Sequence, residues 1–198
     1  MKENTKKFFR NIVKSIVYAY IKIVYRVQVK DLEKVPKEGS YILCANHRNY
    51  LDPPLLVVTC KKELRIMAKE ELYKVPLFKL LTIIFDPIFV KRDSKDINAL
   101  KTALKTLKDG GNIALFPEGT RNGIEKGEKV KDGAAFFALN SDAKVIPVGI
   151  KGGLKPFQKT TITYGEPIDF SEYKANKKDK ETIEKVTSII MGKIIELS

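Results

Sequence analysis

The chain contains one histidine, His47, and a carboxylate follows it at Asp52. An aspartate that accepts a hydrogen bond from imidazole Nδ1–H leaves Nε2 free to take a proton, which is the arrangement of a general base. Assistance of this kind is worth about 10²–10⁴ in rate. Alternatively, Asp52 caps a helix and His47 is a partly exposed loop residue, because an acid at any chosen offset is common by chance. Taken alone, the pair favours this second interpretation.

A second candidate site lies in the segment Phe116–Arg121, which reads Phe-Pro-Glu-Gly-Thr-Arg. A glycine-containing turn after a strand can present backbone N–H groups to a phosphate. Arg121 adds a planar guanidinium that binds phosphate through two hydrogen bonds. Arg92, just past another predicted strand, and Lys131 are further candidate phosphate ligands. Each cation could instead be a solvated surface charge, since the chain is rich in lysine.

Two further side chains leave alternatives open. Glu118 either orients a substrate hydroxyl or holds its own turn in place, and the pattern alone does not decide between them. Cys44 lies three residues before His47, and a thiolate beside an imidazole can act as a nucleophile. Because Cys44 falls within an apolar run, it is better interpreted as a small buried hydrophobe. With Cys60 it forms neither a CxxC motif nor a Cys/His cluster, so no metal site or disulfide framework is expected.

Apolar runs and turn residues predict alternating strands and helices. The expected strands are 41–45, 64–68, 87–90, 112–116, 144–150 and 160–164, and the expected helices are 53–58, 77–85, 94–108, 133–139 and 177–197. This alternation predicts an α/β domain with a mostly parallel or mixed central sheet flanked by helices. Pro147 interrupts one strand and so favours an edge position or a bulge. Polar loops at 46–52, 91–93 and 117–122 follow strands, and the carboxyl ends of strands usually form the site in such sheets.

Residues 1–30 are predicted to form an amphipathic helix. At 100° per residue one face carries Phe9, Ile12, Val13, Ile16, Tyr20, Ile23, Val24 and Val27, and the basic residues lie mainly away from it. This pattern is typical of a helix that lies in a membrane interface, where each Lys or Arg near anionic lipid contributes about 1 kcal/mol. The alternative is a first helix packed on the core with solvated charges. The broad apolar stripe favours membrane docking. Charges interrupt the apolar run too often for a transmembrane helix, and no signal peptide is expected.

The composition limits the class of protein and its partners. The length of 198 residues and a hydrophobic content of 43% suit one folded domain. A formal charge of +13 predicts attraction to nucleic acid, anionic lipid or phosphorylated substrates, unless it only solvates the surface. No recognisable nucleic-acid module is present, so nucleic acid is not an expected partner.

The segments Asn46–Asp52 and Phe116–Arg121 together resemble the glycerolipid acyltransferase family, most closely the bacterial 1-acyl-glycerol-3-phosphate acyltransferases. The family has four ordered blocks, and all four can be placed, the other two being Phe89–Arg92 and Val145–Gly149. The resemblance covers about residues 35–170. The block at Phe116 is highly specific, and the ordered set is stronger still. Asn49 stands where a serine is common in the family.

The resemblance implies direct transfer of a fatty acyl chain to the free sn-2 hydroxyl of lysophosphatidic acid, giving phosphatidic acid. The implied donor is acyl-CoA or an acyl carrier protein, and no cofactor or metal is implied. His47 would deprotonate the acceptor hydroxyl and Asp52 would orient His47. The resemblance implies that Arg92 and Arg121 hold the acceptor phosphate and that Glu118 and Gly119 shape its glycerol site. Thr120, in the same block, and Lys131, singled out by its charge, complete the expected substrate-binding residues. Together with the amphipathic pattern of the first segment, this predicts a membrane-docking helix, 1–30, and an acyltransferase domain, 31–198. The expected location is peripheral or monotopic on the cytoplasmic face of the cell membrane.

Two other functions stay open at the level of sequence. The same chemistry could act on glycerol-3-phosphate or another lysophospholipid. A basic membrane- or nucleic-acid-binding protein would explain the charge and the first helix. It would not explain a lone histidine beside an acid together with the turn at Phe116–Arg121.

Overall fold

The structure is a computed structural model that describes residues 3–74, 82, 85–91, 96–152 and 154–198. Its strands are β1 (Val27–Lys30), β2 (Tyr41–Ala45), β3 (Arg65–Lys69), β4 (Ile88–Val90), β5 (Ile113–Leu115), β6 (Lys144–Lys151) and β7 (Thr160–Tyr164). The described α-helices are α1 (Glu3–Val24), α2 (Asp52–Thr59), α3 (Ile97–Lys108), α4 (Gly133–Leu139) and α5 (Lys180–Leu197). Short 3-10 helices lie at Leu32–Lys34, Glu70–Lys74 and Ser171–Asn176.

The seven strands form one mixed sheet in the order β1-β7-β6-β2-β5-β3-β4. All neighbouring strands are parallel except β6 and β7, which are antiparallel. The parallel pairs require crossover connections, and helices supply them on both faces of the sheet. The predicted α/β class with a mostly parallel or mixed sheet is therefore confirmed.

Two apolar cores lie on opposite faces of the sheet. One is built mainly from strand residues and the inner sides of α3, α4 and α5. The other joins α1 and α2 to the opposite strand side chains and contains the buried Tyr41 and Tyr164. Side chains alternate between the faces of β2, so Ile42 belongs to the first core and Leu43 to the second. The site-bearing strands β2 and β5 are therefore held rigidly from both sides.

Most predicted elements are present, with boundaries that shift by up to three residues. The N-terminal helix is shorter than predicted: it ends at Val24, and Arg26 takes a positive φ of 44°. Residues 27–30 then form β1, which pairs with β7. Valines alternate with polar residues in β1, and this period of two suits an edge strand better than a helix. The predicted helix at 77–85 falls mostly outside the described residues.

Of the two alternatives predicted for Pro147, an edge position or a bulge, the edge position is wrong, because β6 lies between β2 and β7. The proline is tolerated because regular pairing with β7 begins only at Val148, opposite Tyr164. The next bridge on that side joins Val145 to Ile168, so one extra residue is looped out opposite Pro147. This irregularity corresponds to the bulge alternative. The Pro147 carbonyl still accepts from Gly165 N–H at 2.8 Å, so the missing N–H faces the irregular segment.

No helix among the described residues is long and apolar enough to cross a membrane.

Candidate active site

The site is assembled by two neighbouring parallel strands. Because β2 and β5 pair with Cys44 opposite Leu115, the loops that follow them leave the same edge of the sheet. The loops are joined directly where Asn122 N–H donates to the His47 carbonyl oxygen at 2.6 Å. Asn46 fixes the end of β2 from the other side, since its amide both donates to and accepts from the backbone of Ile150 at 2.9 and 2.7 Å. Residues far apart in sequence thus meet around His47.

His47 and Asp52 form the predicted hydrogen bond. His47 Nδ1 lies 2.9 Å from Asp52 Oδ2, and the carboxylate can only accept, so Nδ1 carries the shared hydrogen. Nε2 is then the unprotonated nitrogen that can accept a proton. The histidine side chain keeps 18% of its accessible surface while that of Asp52 is fully buried. The pair therefore has a buried carboxylate behind an imidazole that a substrate can reach.

Asp52 does not act as the helix cap that the alternative interpretation required. The helix cap is Leu51, and Asp52 is the first residue of α2. The Asp52 carboxylate instead points back to the loop, where Oδ2 also accepts from the N–H groups of Arg48 at 2.6 Å and Asn49 at 2.7 Å. These two backbone hydrogen bonds fix the orientation of the carboxylate next to His47. The loop is therefore wrapped around the charge that faces His47.

The imidazole is held from its face as well as from its edge. Phe116, directly after β5, stacks on His47 with ring centroids 4.3 Å apart and an interplanar angle of 25°. Such stacking restricts rotation of the imidazole while it leaves both ring nitrogens available. Phe116 is the first residue of the segment Phe116–Arg121, but the sequence did not predict its position against His47.

Cys44 is fully buried within the core. Burial in apolar surroundings raises the pKa of the Cys44 thiol well above its ordinary value. A thiol that stays protonated is a poor nucleophile. This supports the interpretation of Cys44 as a core residue and leaves His47 as the group that can accept a proton.

Glu118 joins the two site loops through the backbone. Its Oε1 accepts from His47 N–H at 2.8 Å and its Oε2 accepts from Ile124 N–H at 3.2 Å. The residue is 4% exposed. Both oxygens are therefore engaged by the protein itself, which favours a role in holding the turn over direct contact with a substrate hydroxyl.

The turn after Glu118 requires glycine. Gly119 has a φ of +69°, which other residues rarely adopt, and a Cβ there would lie 3.0 Å from the Lys131 side chain. Lys131 is held over the turn because its N–H donates to the Pro117 carbonyl at 2.8 Å. The Thr120 hydroxyl is buried and has no hydrogen-bond partner in the described part of the chain. Lys131 and Thr120 thus lie on the same turn as Arg121.

Arg121 is positioned by an aromatic ring that the sequence did not single out. Its guanidinium carbon lies 3.4 Å above the ring centroid of Tyr50. A carboxylate partner would occupy the guanidinium N–H groups, whereas an aromatic face holds the cation and leaves the edge donors free. Arg121 can therefore still present donors to a phosphate. Tyr50 is itself 64% exposed, so this contact lies at the mouth of the site.

Of the predicted site residues, the structure brings together His47, Asp52, Glu118, Gly119, Thr120, Arg121 and Lys131. Arg92 lies outside the described residues. Among the described residues, no group of three or more His, Cys, Asp or Glu side chains could hold a metal ion.

Comparison with known proteins agrees with this geometry. The sequence profile of the family described as "Acyltransferase" matches residues 26–151, well over half of the chain. The chain belongs to the acyltransferase family. The matched range contains both site loops and begins beside β1. It confirms the resemblance that the motifs indicated.

Named relatives of this acyltransferase chain come from several bacteria. It is 31% identical over 150 residues to a 1-acyl-sn-glycerol-3-phosphate acyltransferase of Borreliella burgdorferi, covering 75% of this chain but 58% of the relative. It is 28% identical over 196 residues to the protein of that name from Streptococcus pneumoniae, covering 95% of this chain and 72% of the relative. The chain thus spans little more than half the length of the first of these.

The fold also matches a solved structure. The crystal structure of the 1-acyl-sn-glycerophosphate (LPA) acyltransferase of Thermotoga maritima superimposes with a TM-score of 0.67 and 25% identity, covering 96% of this chain and 82% of the other. The match extends beyond the profile to nearly the whole chain, including the range of α1.

Proposed function

We propose that this protein transfers a fatty acyl chain from a thioester donor to the sn-2 hydroxyl of lysophosphatidic acid, with His47 as the general base. The observation that carries the proposal is the hydrogen bond of 2.9 Å between His47 Nδ1 and the buried Asp52 carboxylate. That bond leaves Nε2 as a proton acceptor. Family membership and the names of the relatives support the class of reaction.

The chemistry balances with His47 as the only proton carrier. His47 Nε2 takes the proton of the acceptor hydroxyl while the hydroxyl oxygen attacks the thioester carbonyl carbon. The tetrahedral intermediate then expels the thiolate as the carbon–sulfur bond breaks, and the imidazolium returns the proton to the sulfur. The products are the new ester and a free thiol. The Asp52 carboxylate stabilises the imidazolium formed between the two steps.

The turn that carries Arg121 suits an acceptor with a phosphate. Arg121 and Lys131 lie on the loop that contacts His47 through Asn122, so a phosphate held there places a nearby hydroxyl toward the imidazole. Tyr50 holds the Arg121 guanidinium by its face, which leaves the edge donors without a carboxylate partner among the described residues. This arrangement supports lysophosphatidic acid. Glycerol-3-phosphate and other lysophospholipids share the phosphate and are the competing acceptors.

The acyl donor, acyl-CoA or acyl carrier protein, and the acceptor are tested in one assay. The purified protein is incubated with a labelled acyl thioester of each kind and a panel of lysophospholipids and glycerol-3-phosphate. We expect labelled phosphatidic acid from lysophosphatidic acid, and loss of at least about 10²-fold in kcat for His47→Ala, since that variant lacks the base. Cys44→Ala serves as the matched control and should retain turnover. Near-native turnover in folded His47→Ala protein would refute the mechanism.

We also propose that α1 docks the enzyme on an anionic membrane surface. Its large apolar residues Phe8, Phe9, Ile12, Ile16, Tyr20 and Ile23 are all exposed. The helix packs on the domain through another side, where Ile21 is 1% exposed. The apolar stripe is therefore not used by the protein core. An apolar stripe with flanking basic residues fits a lipid interface.

Point substitutions test docking better than deletion, because removal of residues 1–27 would also remove the buried Ile21. In the double variant Ile16→Ser and Ile23→Ser, we expect weaker co-sedimentation with vesicles that contain phosphatidylglycerol. Burial of each isoleucine in lipid contributes about 2 kcal/mol, so the two substitutions together should cost about 4 kcal/mol, or about three orders of magnitude in affinity. The matched control replaces the exposed Ile97 and Ile195, on α3 and α5, by serine. Equal loss in both double variants would contradict docking by α1.

A further inference from the structure

A groove of about 540 Å³ lies between α1 and the loops that precede β3 and β5. It lies at the amino ends of these parallel strands, whereas His47 lies at the carboxyl end of β2. Asn112, in its wall, and Phe116, beside His47, are separated by the length of β5, or roughly 13 Å. The groove is therefore separate from the candidate active site. Its cations are Lys7, Arg10, Lys14, Lys61 and Lys62.

Two of these cations are taken out of water on the domain side of α1. Arg10 is 8% exposed and pairs with Glu63 at 2.5 Å. Lys14 is partly buried, and its ammonium donates to the Cys60 carbonyl at 2.8 Å. Burial lowers the pKa of Lys14 below its ordinary value, although the Glu63 carboxylate opposes the shift. A cation in such a position costs free energy unless an anion offsets it, whereas methionine would fill the space without that cost.

The carboxylates that line the groove are already engaged. Glu63 pairs with Arg10, and Asp109 pairs with Lys105 on α3 at 2.5 Å. In the part of the chain that the structure describes, no carboxylate lies within ion-pairing distance of the ammonium groups of Lys14 or Lys61. The groove thus combines an open concave volume with an excess of positive charge.

We infer that the groove is a second anion site, which binds the phosphate groups of a soluble phosphorylated ligand. Its volume lies within the range of small-molecule sites. Lysines that converge from α1 and from the loop before β3 suit an anion with more than one charge. At 100° per residue, Lys7 and Lys14 lie about 160–180° around α1 from Ile16. They are thus on the side of the helix opposite the proposed lipid-facing stripe, which favours a soluble ligand over a lipid headgroup. The groove therefore faces away from the apolar stripe.

Titration calorimetry with pyrophosphate tests the site without any need for turnover, so the result is independent of the proposed acyl transfer. The rim variant Lys7→Gln and Lys61→Gln changes two exposed side chains and should fold normally. We expect it to weaken pyrophosphate binding about tenfold, and Lys14→Met to weaken it comparably. The matched control, Lys177→Gln and Lys178→Gln, removes the same charge from an exposed surface elsewhere and should change affinity less than twofold.

The same measurement in an Arg121→Ala background separates the two sites. Binding that persists there and still responds to the rim variant supports the groove. Equal weakening by the rim and control variants, or loss of binding in Arg121→Ala alone, would overturn it.

Two more probes identify the source of the phosphate. Coenzyme A without an acyl chain should bind, and the rim variant should weaken it. The rim variant could instead weaken binding to vesicles with phosphatidic acid and leave binding of coenzyme A and pyrophosphate unchanged. That result would refute a soluble ligand in favour of a lipid headgroup.

Discussion

Substitution of Asp52 by asparagine isolates the contribution of the carboxylate charge. The position of Asp52 Oδ2 accepts three hydrogen bonds, from His47 Nδ1–H at 2.9 Å and from the N–H groups of Arg48 at 2.6 Å and Asn49 at 2.7 Å. An amide NH₂ group placed there would face three donors. We therefore expect the asparagine oxygen to occupy this position, so that the orientation and the tautomer of His47 survive and only the negative charge is lost.

The size of the effect follows from the distance. An imidazolium and a carboxylate about 4 Å apart interact by about 4 kcal/mol at an effective dielectric constant of 20. If between about half and all of the imidazolium charge has developed in the transition state, loss of the carboxylate costs about 2–4 kcal/mol. This corresponds to a decrease in kcat of about 30- to 1000-fold. The expected decrease reaches at most the middle of the range of about 10²–10⁴ for loss of a general base.

The variant should also be less stable. The asparagine NH₂ group takes the place of Asp52 Oδ1, which is buried and has no hydrogen-bond partner among the described residues. An unsatisfied buried donor costs about 1–3 kcal/mol, and each kcal/mol lowers Tm by about 2–4 °C for a chain of this size. Activity must therefore be measured well below the Tm of the variant.

The assay measures kcat with lysophosphatidic acid and a labelled acyl thioester, beside thermal unfolding. Asp142→Asn is the matched control, because Asp142 is exposed and pairs only with Lys174 among the residues described; its kcat should be unchanged. A decrease of less than threefold in Asp52→Asn would refute the role of the charge. A decrease beyond about 10⁴-fold would show that the imidazole had lost its orientation, and the three-donor reasoning would be wrong.

Three further outcomes are expected. Glu118→Gln sets an NH₂ group against one of two backbone N–H donors, so Tm should fall by several degrees in calorimetry; an unchanged Tm would contradict its role in holding the turn. Arg121→Ala should raise the KM for lysophosphatidic acid with little change in kcat, and Tyr50→Leu should do the same more weakly while Tyr50→Phe does not. Iodoacetamide should leave the native enzyme active, since burial protects Cys44 and raises its pKa; rapid inactivation would return Cys44 as a nucleophile.

Local patterns were sufficient for much of the fold. The strands that carry the site, β2 and β5, are short apolar runs bounded by turn residues, and such runs report burial on both faces. Because the carboxyl ends of parallel neighbours meet, the convergence of His47 with the loop of Glu118 could also be predicted. Pro147 shows the limit of local reasoning, which allowed an edge position or a bulge and could not choose between them. Its tolerance depends on the register of β6 against β7 and Ile168, which no single strand encodes.

The roles of the site residues were less predictable than their positions. The two partners of Glu118 are backbone N–H groups, and a backbone group carries no sequence signal. The contact of Tyr50 with Arg121 joins two loops across the sheet edge. An aromatic residue in a loop has too many possible partners for its role to be inferred from type alone. Both relationships depend on tertiary geometry, which the order of residue types along the chain does not specify.

The first helix shows most clearly what an amphipathic pattern leaves undecided. A stripe of apolar side chains can face either a protein core or a lipid interface, and the periodicity is identical in both cases. In the structure the stripe around Ile16 faces outward, while Arg10 and Lys14 turn toward the domain. A helix that only covered a core would have the opposite arrangement, because burial of cations is unfavourable and exposure of isoleucine gains nothing. The inverted orientation is accounted for if lipid covers the outer stripe and an anion meets the inner cations. Docking and anion binding should therefore be lost separately, by substitution on different sides of one helix.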